Sequence, residues 1–369
     1  MKKYFLFIII LFISCSDDKD LTENKPVDES YNRVTMMENL TENIIIPSLE
    51  NLDSKLKDFN TSLSSFSSDT SLDNLSALRS DFLEAYKAWQ HVEMFNIGKA
   101  EEIYYNLKSN VYPVNVARII ANMDNPNLDL DDCSDAKPNN CSAQGFPTLD
   151  YLLYGIGDND DSILLEYKNE SVNYKEYLNT VAQKLISNTS IVLDDLKLNK
   201  DNFISSTDNT MTSNLNMLVN DFVYYYEKGL RTNKFGIPAG VWTYKRSQNV
   251  ESFYAQNISK ELALEALSAC KKFFMGTKFG SESENGESFK DYIDYLDTEN
   301  SLSSLIIDSF DNSKTEINGL SASFSDQVNN DNIKMLETFD VLQVTVRYLK
   351  TDMLSLMGVD VDYVDADGD

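Results

Sequence analysis

The strongest constraint on this chain is an apolar stripe that returns every three or four residues. Leu75, Leu78, Phe82, Ala85, Trp89 and Val92 keep that spacing, which puts them on one face of a long helix. Leu215, Leu218, Val219, Phe222, Tyr225, Tyr226 and Leu230 form a second such face. Leu262, Ala266, Leu267, Cys270, Phe273 and Phe274 form a third, and Leu336, Phe339, Val346, Leu349 and Met353 a fourth. Segments 30–59 and 172–198 also read as helices, the first with an interruption expected at Pro47. Residues 288–297 and 300–326 carry weaker helical patterning. Strand signals are scarce. The expectation is an all-α protein of long helices packed as up-down bundles.

Polar stretches punctuate these helices. Residues 60–71 are rich in Ser, Thr and Asp, and residues 123–146 hold Pro126, Pro138 and two cysteines. Residues 155–161, 199–210 and 276–287 are the other predicted loops. The composition break at 199–210 divides the chain into two helical bundles of similar size, expected at 30–200 and 201–369. Hydrophobic residues at 42% and aromatics at 11% supply real cores, which argues against general disorder.

The 59 acidic residues outnumber the 32 basic ones and give a net charge of −27. Such a surface repels phosphate backbones, so no nucleic-acid partner is expected. Cations, or a basic patch on another protein, are favoured electrostatically. The plainer reading is that the charge keeps an exported protein soluble.

Met1-Lys2-Lys3 precedes a short apolar run from Tyr4 to Ile13. That run is too short to span a bilayer and has the form of a secretory signal, expected at 1–14. It ends in Phe12-Ile13-Ser14-Cys15, which resembles a bacterial lipoprotein cleavage box with Phe where Leu is commoner. Cys15 is then the lipidated N-terminus, and 15–29 a flexible tether. The expected address is the outer membrane, lipid-anchored, on the periplasmic face or the cell surface. Asp17, Asp18 and Asp20 after the cysteine resemble the export tags of some surface lipoproteins. No later stretch has the length of apolar sequence that a transmembrane helix needs.

In an oxidising compartment Cys133 and Cys141 are expected to close their short loop as a disulfide, a gain of about 2–3 kcal/mol by chain entropy. Two thiols with no nearby partner make a poor metal site. Cys270 lies on an apolar helix face and reads as core.

Four motifs, in order, carry a family resemblance. The first is Trp89-Gln90-His91-Val92-Glu93-Met94-Phe95-Asn96-Ile97-Gly98. The second is Gly145-Phe146-Pro147-Thr148-Leu149-Asp150, running into Tyr151-Leu152-Leu153-Tyr154-Gly155. The third is Lys234-Phe235-Gly236-Ile237-Pro238-Ala239-Gly240, followed by Glu251-Ser252-Phe253-Tyr254-Ala255-Gln256-Asn257. The last is the Asp-rich ending from Gly358, whose Asp365, Asp367 and Asp369 alternate as in a calcium loop without its closing Glu. Together they resemble the imelysin family over residues 30–369. The family's Gly-x-His-x-x-Glu segment stands here with Pro147 at the His position and Asp150 at the Glu position.

The resemblance implies two helical bundles and an accessory role in bacterial iron or metal uptake, by binding rather than turnover. The implied cargo is a divalent or iron cation, or a small ligand. An outer-membrane or periplasmic uptake partner is implied too. Glu93, Asp150, Lys234, Glu251 and Tyr254 are the candidate lining of one polar cleft between the bundles, with Asp150 the metal-ligand candidate. Lys234 is placed to neutralise Glu251 or Asp150. Trp89, Gly145, Pro147, Gly236 and Pro238 are expected to shape the motifs, with Gly236, Pro238 and Gly240 making a tight reversal. Part of the family carries a peptidase label, so a metallopeptidase is the runner-up. Pro147 has no side-chain donor, and no His-Glu-x-x-His or nucleophile-elbow motif is present, so no catalytic residue is assigned. A glycan- or protein-binding surface module is the third reading, given 20 Tyr and 19 Phe as potential platforms. His91, the one histidine, reads as a surface or partner-satisfied residue.

Overall fold

The computed structural model describes residues 31–361 apart from 137, 170 and 300. The signal, Cys15 and Asp365, Asp367 and Asp369 of the tail lie outside the described residues. Among those described the architecture is all-helical, with an isolated bridge between Thr277 and Asn285. The principal helices are α1 (33–68), α2 (Leu72–Trp89), α3 (Gly145–Tyr154), α4 (Tyr174–Ser205), α5 (214–239), α6 (Ser259–Phe274), α7 (Leu302–Asn318) and α8 (332–357). No helix among the described residues is long and apolar enough to cross a membrane.

Each stripe read from the sequence is buried, with Leu336 of the fourth only partly so. Leu75, Leu78, Phe82, Ala85 and Trp89 turn inward on α2, and Leu262, Ala266, Cys270 and Phe273 on α6. In the first half α1 packs on α2 and α4, and α3 wedges against α2 and α4. In the second, α7 and α8 pair, α8 lies along α5, and α6 touches α5 and α7. The buried apolar side chains of both halves join into one contiguous core. Cys133 and Cys141 form the expected disulfide.

Four boundary expectations are corrected. Pro47 does not interrupt α1. A π-helical turn, Thr41–Ile45, precedes it and the Ile46 N–H reaches Thr41 O, so the chain widens by one residue where the proline lacks its donor. Residues 60–68 are helix rather than loop. Leu63 and Phe66 are buried there, and Thr61, Ser64 and Ser65 hydroxyls bond back to the carbonyls of Lys57, Asn60 and Thr61, satisfying themselves within the helix. Residues 199–205 continue α4 because Phe203 and Ile204 are buried. The reversal expected at Gly236-Pro238-Gly240 is helical through Pro238. A π segment, Tyr225–Gly236, runs into Ile237–Ala239, and only Gly240, at φ +77°, stops the helix.

Candidate functional site

The site forms where α2, α3, α5 and the loop before α6 meet. Trp89, wholly buried, ends α2. The tight turn after it puts Gln90 inside and aims Glu93 toward the seam, the Glu93 N–H closing on Trp89 O at 3.0 Å. The short helix Tyr105–Ser109 leads into Asn110. Gly145 opens α3 at φ +73°, and a Cβ there would lie 2.2 Å from Ser109 O. Only glycine lets α3 approach that backbone. Pro147 falls inside the first turn of α3, where a missing N–H costs no intrahelical bond.

Lys234 projects from the π segment of α5 and is 1% exposed. Its Nζ donates to Glu251 Oε2 at 2.5 Å and Gln90 Oε1 at 2.9 Å, and lies 3.9 Å from Glu93 Oε2. Gln90 Nε2 and Asn110 Nδ2 both donate to Glu251 Oε1, at 3.1 and 2.9 Å. Asn110 Nδ2 also reaches Glu93 Oε1 at 2.8 Å, and Tyr225 OH donates to Glu93 Oε2 at 3.2 Å. Tyr86 OH fixes the Asn110 amide from behind at 2.8 Å. The Trp89 indole N–H is directed at Glu93 without completing a hydrogen bond.

Asp150 sits beside this cluster and is also buried. Its Oδ1 accepts from the Ala255 N–H at 2.9 Å and Ser252 Oγ at 3.1 Å, and its Oδ2 from the Tyr254 N–H at 2.9 Å. One carboxylate of the first half thus holds three donors of the second. Tyr254 contributes its backbone here; its half-buried ring stands edge-on to Tyr151. The remaining space against Asp150 is a cavity of about 110 Å³, lined by Tyr112, Pro147, Gln248 and Tyr254 among others.

Burial pushes the Asp150 carboxyl up to about 6, against the three hydrogen bonds that favour its charged form. Burial also raises Glu93, and Lys234 pulls back while Glu251 pushes further up. Burial, followed by the nearby carboxylates, raises the hydroxyls of Tyr86, Tyr112 and Tyr225 well above the usual phenol range. These phenols are neutral donors at physiological pH.

The five residues proposed from sequence as a cleft therefore share one seam, though it is closed rather than open. Lys234 neutralises Glu251, not Asp150. Gln90, Asn110, Tyr86, Tyr225 and Ser252 complete the network and were not identified from sequence. Gln90 sits beside Trp89 and Ser252 beside Glu251 within the quoted motifs, so adjacency was the available signal; Asn110 had none. His91 lies apart, its Nε2 3.0 Å from Glu265 Oε2. The carboxylate oxygens of Glu93 and Glu251 are hard-cation donors, but Asn110 Nδ2 and Lys234 Nζ, which face them, are nitrogen donors that offer a cation no lone pair. Among the described residues no three His, Cys, Asp or Glu side chains converge as a metal-ligand group. A cation here has to take over the position of the Lys234 ammonium, which already serves as the internal counter-charge.

An all-helical protein with a buried polar seam between two helical layers is the class this geometry defines. The family model described as Imelysin, under the heading of peptidase family M75, matches residues 45–343. The chain belongs to the imelysin family. Among solved structures it is similar to a protein named as an iron-regulated protein A precursor from Parabacteroides distasonis ATCC 8503. That match has a TM-score of 0.70 and 15% identity, covering 87% of this chain and 95% of that one. It is also similar to an imelysin-like protein from Psychrobacter arcticum 273-4, with a TM-score of 0.64 and 18% identity over 90% of this chain and 97% of that one. At these identities the likeness concerns the fold. No curated protein matches the chain.

Proposed function

We propose that this imelysin-family chain is a binding protein, lipid-anchored through Cys15 at the outer membrane, that assists iron or metal uptake without turning over a substrate. The observation that carries the reading is charge. Glu93 and Glu251 share the single Lys234 ammonium in a buried seam, and a cation would relieve that excess of one carboxylate. The net charge of −27 raises the local concentration of cations around the whole molecule. The name of the similar Parabacteroides protein, iron-regulated, points the same way. The metal is cargo in this reading, held by Glu93 and Glu251 oxygens and passed to an outer-membrane or periplasmic partner.

Isothermal titration with ferrous, ferric, zinc and calcium ions tests the proposal. Binding that weakens in Glu93→Gln is expected. No binding by any of the four, with unchanged iron-limited growth after gene deletion, would sink it. For the anchor, Cys15→Ala is expected to move the protein from the membrane to the soluble fraction.

The family heading favours a peptidase. Against it, Pro147 offers no side-chain ligand, and about 110 Å³ beside Asp150 is well below the few hundred Å³ of ordinary ligand pockets. Cleavage of a broad peptide library, abolished by Asp150→Ala, would reverse the preference. The surface-module reading rests on Trp242 and Tyr244, 48% and 68% exposed, with the Arg246 guanidinium stacked on Tyr244 at 4.6 Å. A glycan array hit lost in Tyr244→Ala would support that reading.

A further inference from the structure

A second cavity, of about 290 Å³, lies away from the seam charges between α1, the 95–99 turn, α4 and the start of α5. Its floor is apolar: Leu49, Phe95, Val192 and Phe203 all line it and are all buried. It is a recess, not a surface patch. Its wall is left open at Gly98, where an added side chain would meet nothing within 4 Å. The rim is polar, with Asp195, Asn199 and Asn202 on consecutive turns of α4.

The charges at the rim do not cancel. Lys99 also lines the recess, but its ammonium is paired with Glu102 at 2.6 Å and feels Asp195 only through space. The half-buried Asp195 carboxylate has no ion-pair partner among the described residues, nor does the Asn202 side chain have a hydrogen bond there. One negative charge and a free amide therefore face an apolar recess at the small end of the ligand-pocket range. Complementary chemistry is an apolar body of fragment size carrying one ammonium group. The body fills the floor, and the ammonium meets Asp195 with the Asn202 carbonyl as second acceptor.

We infer that this recess binds a small organic cation, a primary amine on a compact apolar body. The inference is independent of metal binding at the seam.

The test is isothermal titration of the purified protein, at physiological salt so that distant charges are screened. The probes are 2-phenylethylamine, cyclohexylmethylamine and 3-methylbutylamine, each set against the carboxylate of the same body: 3-phenylpropionate, cyclohexylacetate and 4-methylpentanoate. At least one amine is expected to saturate one site at least about tenfold more tightly than its carboxylate. Asn202→Trp, at an exposed position, is expected to close the mouth and remove binding with an unchanged melting temperature. Asp195→Asn is expected to bring amine and carboxylate to within about threefold. Asn199→Trp is the second plug should Asn202→Trp misfold. No saturable binding by any amine, equal binding of the carboxylates, or undiminished binding in a folded plug variant would overturn the inference.

Discussion

Asp150 shows how one buried carboxyl couples packing to pH. Its unfolded value lies near 3.8 and its folded value is raised to about 6. The folded chain therefore holds a proton that the unfolded chain has released between these values. A raised folded value stabilises below the unfolded one, and that contribution disappears as pH rises through about 6. At neutral pH the lost stabilisation is about 3 kcal/mol, undiminished by solvent because the group is 1% exposed. The carboxyl carbon is expected to titrate near pH 6 by NMR. Urea stability measured from pH 4 to pH 7 is expected to fall more steeply for the natural protein than for Asp150→Asn. A midpoint near the ordinary Asp value, or equal slopes, would refute this. Lys234 gives the second test at this scale. Lys234→Met strands Glu251 and Glu93 in the interior, and breaking one side of a buried ion pair costs about 3–5 kcal/mol. Adding Glu251→Gln is expected to restore part of that loss in a double-mutant cycle by urea unfolding. Strict additivity would mean that the pair is not coupled.

At the scale of elements, α3 owes its place to Gly145. The positive φ and the close approach to Ser109 O act together, so Gly145→Ala is expected to cost more than about 2 kcal/mol in denaturant unfolding. Gly280→Ala is the control, since its φ is +78° with nothing within 4 Å, and about 1 kcal/mol of left-handed strain is expected there. Equal losses would mean that the contact with Ser109 is unimportant. The helices themselves were legible because Leu75 to Trp89 and Leu262 to Phe274 repeat at helical spacing, and burial acts directly on that pattern. Their ends were less so. Ser64 and Ser65 look like loop by composition, yet their hydroxyls bond within the helix. Pro47 and Pro238 look like breakers, yet π turns precede both, and no local signal announces a π turn. The pairing of Lys234 with Glu251 could be anticipated from motif order and charge. Asn110 could not, because an amide from a distant turn leaves no periodicity behind.

At the scale of the molecule, the proposed division into 30–200 and 201–369 meets a physical constraint. The first helix is tied to the far half: Asn39 Nδ2 donates to Gly276 O at 3.1 Å and Glu287 O at 3.0 Å. Tyr31 OH reaches Glu287 Oε2 at 2.9 Å, and the Phe279 N–H reaches Asn43 O at 2.8 Å. Asp150 adds three bonds across the seam and Lys234 donates across it to Gln90 at 2.9 Å, over a core that is continuous between the halves. Cutting the chain at 200 would leave Glu251 without Gln90 and Asn110, and Asp150 without its donors, each a buried group whose loss of partners costs about 1–3 kcal/mol or more. Such penalties are comparable with the whole stability of an ordinary domain. Two bundles can therefore exist as layers without existing as independent folding units. Calorimetry is expected to give one transition whose van't Hoff and measured enthalpies agree within about ten per cent. Each separately expressed half is expected to lack a near-ultraviolet circular dichroism spectrum of fixed aromatic side chains. Two resolved transitions, or a cooperative melt from either half alone, would show that the seam joins finished domains rather than completing them.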